Sequence, residues 1–212
     1  MDYDFSINGV IKEGFNTSNG VKGVFIGSMV IFLIIALLIN GMLEFVFPAS
    51  NAPINGFVAS FISGIFTTPI HVGIMMFGVS RARGEEFKVA DMFNYFGMAM
   101  PIVITYIVMS ILIYLGFLLL IIPGIYLSVS YIFAYMLVVD KGLKTWEAME
   151  LSRKTVAKHW FKFFGLSLVI GIIILLSAIP LGVGLIWSIP MAYMVYGLLY
   201  HRLFDDEEIW SR

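Results

Sequence analysis

The feature that most limits what this chain can fold into is the length of its uncharged stretches. No Asp, Glu, Lys or Arg occurs between Met92 and Val139, and none between Phe163 and Tyr200. A helix rises 1.5 Å per residue, so about 20 apolar residues cross the hydrocarbon core of a bilayer. Each stretch is too long for one crossing and suits two. Pro123-Gly124 marks the division of the first, and Pro180-Leu181-Gly182-Val183-Gly184 that of the second. Two single runs come earlier. Val24–Phe47 is interrupted only by Asn40 and Glu44, and Phe57–Val79 ends at Arg81 and Arg83. Phe47-Pro48-Ala49-Ser50-Asn51-Ala52-Pro53 breaks the helix between them. The sequence therefore predicts an all-α membrane protein, a single polytopic domain over 1–212, with six transmembrane helices in three hairpins. The spans fall at 24–47, 57–80, 98–121, 124–140, 162–179 and 184–203.

Composition agrees and excludes several classes. Charged residues make up 13% of the chain, about half the usual share of a soluble domain, and the mean hydropathy is +0.95. A net charge of -1 argues against a nucleic-acid partner, which needs a concentrated excess of Lys and Arg. The absence of cysteine excludes disulfides, thiol nucleophiles and cysteine metal sites. Met1 to Lys22 is mostly polar, with Asp2, Asp4, Lys12 and Glu13. A cleavable signal peptide begins with a basic region that leads straight into a short apolar run, so the first hydrophobic segment reads as a retained anchor.

The basic residues orient this arrangement. Lys12, Lys22, Arg81, Arg83, Lys88, Lys141, Lys144, Arg153, Lys154, Lys158, Lys162, Arg202 and Arg212 all lie on one side of the six spans, and the three opposite turns have none. Lys and Arg in short loops mark the cytoplasmic side. The expectation is a bacterial or archaeal cytoplasmic (inner) membrane, with both termini in the cytoplasm and only Glu44 near the outer face.

The segments on the basic side have helical patterning of their own. Amphipathic interfacial helices are expected at about 7–18, 89–96 and 145–160. In the last, Thr145 is placed as N-cap. One face carries Glu147, Glu150, Lys154 and Lys158, with Glu150 and Lys154 at favourable i,i+4 spacing. The opposite face carries Trp146, Met149, Val156, Ala157 and Trp160, the pattern of a helix lying at headgroup depth. The chain then reads as three copies of one unit, an interfacial helix followed by a hairpin.

Four short segments carry a likeness: Ile122-Pro123-Gly124-Ile125-Tyr126-Leu127, Val138-Val139-Asp140-Lys141-Gly142, Ala148-Met149-Glu150-Leu151-Ser152-Arg153 and Trp160-Phe161-Lys162-Phe163-Phe164-Gly165. Over residues 117–166 the chain resembles the YciC-like group of bacterial inner-membrane proteins. That resemblance implies a six-span inner-membrane protein. It supplies no accepted molecular activity and no catalytic residue.

Candidate functional residues are few, because charge buried in lipid is costly and no Asp, Glu, Lys or Arg falls near the middle of a span. His71, close to Thr67, Thr68 and Pro69, is either a polar intramembrane contact or a helix-packing histidine bonded to a hydroxyl. Asn40 and Glu44, one turn apart, either line an outer vestibule or form the wet end of a helix. Arg153 projects from the aromatic side of the 145–160 helix, and three accounts of it stay open. It pairs with Asp140, holds a lipid phosphate in its planar fork, or snorkels to water. With Trp146 and Trp160 it makes the candidate lipid-binding or ion-pair site. His71, His159 and His201 lack metal-ligand spacing. No nucleotide-binding loop, zinc helix or nucleophile elbow occurs, and Ser152, His159 and Glu150 do not converge at helical spacing. No catalytic residue, metal or cofactor is expected. Membrane phospholipids are the expected partners, together with other membrane proteins or a homo-oligomer. Two functions follow: a non-enzymatic membrane factor acting through lipid or protein contacts (envelope maintenance, stress or immunity), and a small-solute transporter or channel with its polar site near His71.

Overall fold

The computed structural model describes residues 4–48 and 52–205. Asp2, the Ala49-Ser50-Asn51 part of the first break, and Arg212 lie outside them. The described residues form α-helices α1 (Ile7–Thr17), α2 (Lys22–Val46) and α3 (Pro53–Ala82), then a 3-10 helix (Val89–Met98). There follow α4 (Ala99–Leu119), α5 (Ile121–Ser130), α6 (Ala134–Lys141), α7 (Thr145–Ala157), α8 (Trp160–Ala178) and α9 (Leu185–Phe204), with no strand among them.

Five stretches are long and apolar enough to cross a membrane: Lys22–Val46, Ile54–Ala82, Val89–Leu119, Ile121–Lys141 and Trp160–Ala178. Helix α9 is long but less apolar, because His201 and Arg202 occupy its last turn and Ser188, Pro190, Tyr193, Tyr196 and Tyr200 dilute the rest. Its position accounts for this. Most of α9 is buried by other helices, and a helix facing protein instead of lipid does not need an apolar surface all round.

The long helices run in neighbouring pairs, α2 with α3, α4 with α5, and α8 with α9. The second member of each pair is central and the first peripheral. Only 11% of the α2 stretch is buried, against 44% for α3 and 50% for α5–α6. Two central helices meet at glycine. A methyl group added at Gly197 of α9 would stand 2.0 Å from the carbonyl carbon of Gly78 in α3, so only the absence of side chains allows this crossing.

The short elements lock onto these pairs in a ring. The 3-10 helix lies on α3 and α2, α7 on α6, α5 and α4, and α1 on α9 and α8. The 3-10 helix and α7 therefore cover the pair that precedes them in the chain, and α1 covers the last pair. The three share a start more than a sequence. An apolar residue (Phe5, Phe87, Leu143) precedes each N-cap (Ser6, Lys88, Lys144). The fourth residue after each cap (Val10, Met92, Ala148) is buried, as in a hydrophobic staple. In two of them a carboxylate three residues on accepts the cap's backbone N–H: Asp91 from Lys88 at 2.6 Å and Glu147 from Lys144 at 3.3 Å.

Several local expectations are corrected. The helix expected at 89–96 is a 3-10 helix and runs on to Met98. Thr145 does not cap α7. Lys144 does, and the Thr145 hydroxyl instead bonds Thr105 of α4 at 2.9 Å. Helix α7 ends at Ala157, so Trp160 opens α8 and the 145–160 helix is interrupted. The face of α7 turned inward carries Ala148, Met149, Ser152 and Val156, while Trp146 is exposed. The second long helix starts at Pro53, four residues before Phe57. The division near Pro123 falls at Leu120, which is extended. Pro123 is the third residue of α5, where a missing N–H costs nothing because the first turn has no internal acceptor.

Between α5 and α6 the helix is interrupted at Tyr131–Phe133. Buried Ser152 of α7 repairs the break: its hydroxyl donates to the Ser130 carbonyl at 2.7 Å and accepts the Phe133 N–H at 3.2 Å.

Candidate functional site

The central helices α3, α6 and α9 end beside one another, and their C-terminal charges converge. The guanidinium of Arg83, the C-cap of α3, forks onto two carboxylates. It meets Asp140 of α6 at 2.7 and 2.8 Å, and Asp205, the C-cap of α9, at 2.7 and 2.6 Å. Lys141 adds contacts of 2.9 Å to Asp205 and 3.2 Å to Asp140. The Tyr200 hydroxyl donates to Asp140 at 2.8 Å, and His201 Nδ1 lies 2.7 Å from Asp205.

Electrostatics explains the choice of residues. Helix C-termini carry partial negative charge. Three such ends plus two carboxylates repel unless cations stand between them, and Arg83 and Lys141 supply two. Burial works against the charge on Asp205, yet hydrogen bonds from Arg83, His201 and Lys141 outweigh it and hold its carboxyl well below the usual range. The two carboxylates are matched by the two cations Arg83 and Lys141, and their acceptors are occupied. The cluster is suited to clamping three helices.

Arg153 and Asp140 are not brought together, which removes one of the three accounts of Arg153. Arg153 forks onto Glu150 one turn earlier, with both contacts at 2.8 Å, and Lys154 approaches the same carboxylate at 3.4 Å. The Arg153 hydrogen bond pulls the exposed Glu150 carboxyl down to about 2. Asp140 is taken by Arg83 because α3 and α6 end together, whereas α7 leads away after Gly142, whose positive φ of 64° makes the turn. Trp160 is stacked between Tyr126 and Phe164 and donates from Nε1 to the Tyr126 carbonyl at 3.3 Å. It braces α8 against α5.

The polar residues of α3 do not form a joint site. Thr67 donates to the Ser63 carbonyl at 2.9 Å and Thr68 to the Gly64 carbonyl at 2.6 Å, each within its own helix. The His71 imidazole lies between the rings of Phe32 and Tyr193, 6.2 and 6.1 Å away between centres. Asn40 acts as a tie between helices. Its amide donates to Ser63 Oγ of α3 at 2.9 Å and to the Ala36 carbonyl at 2.7 Å.

Sequence reasoning missed the Arg83–Asp140–Asp205 cluster and the Ser152 bridge. The signal for the first was present, since each central helix ends in charged residues. Nothing local showed that those ends meet. No protein-family model, curated protein or solved structure matches this chain.

Proposed function

We propose that this is a six-span inner-membrane protein of the YciC-like group, with both termini cytoplasmic, acting as a non-enzymatic membrane factor through contacts with phospholipids. The third and fourth crossings on this reading are α4 and α5–α6, the fifth is α8, and the sixth is α9. The observation that carries it is the separation of charge from the apolar body. The cluster of Arg83, Asp140, Lys141 and Asp205 sits where the central helices end. The hydroxyls of Thr67, Thr68, Thr105 and Ser167 along the helices bond carbonyls of their own helix. A solute path through the bilayer needs polar groups that face a cavity, and these are taken up by their own backbone and, for Thr105 and Ser167, also by Thr145 and Tyr196 of neighbouring helices. The lipid-facing surface is extensive: exposed Leu33, Leu37, Leu38 and Phe45 run along α2, and Leu168, Leu175 and Leu176 along α8.

Native mass spectrometry of the whole chain released from mild detergent tests the proposal. The expected result is a population that keeps bound phospholipid, with liposomes holding the protein no leakier to small solutes than empty ones. A protein that keeps no lipid and speeds solute release would overturn it in favour of the transporter reading.

A further inference from the structure

Helix α1 does more than cover α8 and α9. Between these three helices lies a cleft of about 390 Å³, within the roughly 300–1,000 Å³ of pockets that hold small ligands. Its wall is mainly apolar, with Ile11, Phe15, Ile173, Trp187 and Met191. Exposed Ile172 and Leu176 of α8 flank it in sequence, so it adjoins the apolar outer surface of that helix.

The mouth is cationic. Lys12 lines the cleft, and the Lys22 ammonium stands 5.7 Å from the Phe15 ring centre and 5.8 Å from that of Trp187, two of its wall residues. No carboxylate lines it. Other cations near α1 are neutralised there: Arg202 pairs with Glu13 and Lys162 with Asp4. Among the described residues neither Lys12 nor Lys22 has an ion-pair partner; besides the two rings, Lys22 meets the neutral Asn19 side chain, at 2.9 Å. An apolar slot adjoining a lipid-exposed face, with two uncompensated ammonium groups beside it, fits a molecule with a long apolar chain and an anionic head.

We propose that the α1–α8–α9 cleft is a binding site for an anionic phospholipid, one acyl chain lying against Ile11, Ile173 and Met191 and the phosphate between Lys12 and Lys22. The inference deepens the lipid-contact reading and rests on it. It gives α1 a function, since this helix supplies both the floor of the slot and one of its cations.

The test uses the full chain, delipidated in detergent, titrated with phosphatidylglycerol or phosphatidylcholine and read by native mass spectrometry. The Lys12→Gln/Lys22→Gln double variant is expected to lose roughly tenfold in phosphatidylglycerol occupancy, since each basic residue near a lipid surface contributes severalfold. Phosphatidylcholine binding should be little changed. Ser177→Trp, which fills the slot from α8, is expected to lower occupancy by both lipids. A Lys154→Gln/Lys158→Gln variant on α7 removes as much charge elsewhere and should match wild type. If wild type binds lipid but the double variant and Ser177→Trp bind it equally well, this site is wrong and the broader reading stands. If wild type binds neither lipid, both fail. Lys12 is exposed, so the double variant decides the matter even if Ser177→Trp does not fold.

Discussion

Replacing Arg83 with Leu should loosen the whole bundle, because one side chain joins the ends of three helices. Arg83 makes four contacts of 2.6–2.8 Å to Asp140 and Asp205. Without it those carboxylates face each other with Lys141 as the one permanent cation between them. Removing one partner of a buried ion pair costs about 3–5 kcal/mol, and of an exposed pair about 0–1 kcal/mol. Side-chain exposures of 24% for Arg83, 11% for Asp140 and 15% for Asp205 place this cluster between the two. A loss of about 2–3 kcal/mol follows, which for a chain of this size lowers the melting temperature by roughly 5–10 °C. Arg83→Lys keeps the charge but cannot fork onto two carboxylates, and should recover less than half of the loss. The pH dependence carries a sign. Asp205 is held below its unfolded value, so it contributes stability above about pH 4 that disappears as the pH falls through its folded value. In Arg83→Leu the burial that opposes ionisation remains while the Arg83 hydrogen bonds are gone. Asp205 then takes up a proton at higher pH than in wild type, and the gap between variant and wild type narrows on acidification from about pH 7 to about pH 3. Thermal unfolding in mild detergent across that range is the assay. A variant melting within a degree of wild type near neutrality, or a gap that stays constant with pH, would refute this account.

Two further outcomes are expected. Gly197→Ala places a methyl group 2.0 Å from the Gly78 carbonyl carbon and should destabilise by roughly 1–3 kcal/mol through overpacking. Gly41→Ala, on the open side of α2 with nothing within 4 Å, should be neutral or stabilise by up to about 1 kcal/mol, and equal melting shifts for the two would show that α3 and α9 do not cross there. Because the chain has no cysteine, single cysteines report sidedness directly. A membrane-impermeant maleimide added to intact spheroplasts should label Leu181→Cys and reach Lys158→Cys only after lysis, and the reverse pattern would invert the proposed orientation.

Much of the helical layout was legible because the bilayer constraint is local. Whether a stretch is long and uncharged enough to cross is decided by consecutive residues, and five stretches of the structure meet that condition. The Arg153–Glu150 pair lies within one helical turn and was open to the same reading. The Glu150–Lys154 pair was legible in the spacing and is formed, but the accounts of Arg153 extended only to Asp140, a lipid phosphate and water. Side-chain roles inside the membrane were legible in kind but not in detail. Asn40 and Thr67 were visible as polar residues in apolar helices, yet only the packed structure shows Asn40 tying α2 to α3 while Thr67 bonds its own backbone.

By itself, the sequence determined where the apolar helices lie and which of their ends carry charge, because length and charge act along the chain. Only the tertiary structure decided which charges meet. Arg83 lies 57 residues from Asp140 and 122 from Asp205. Their encounter depends on α3 and α9 approaching at Gly78 and Gly197 and on α6 ending beside them. A glycine shows that a close crossing is possible and carries no side chain to specify its partner.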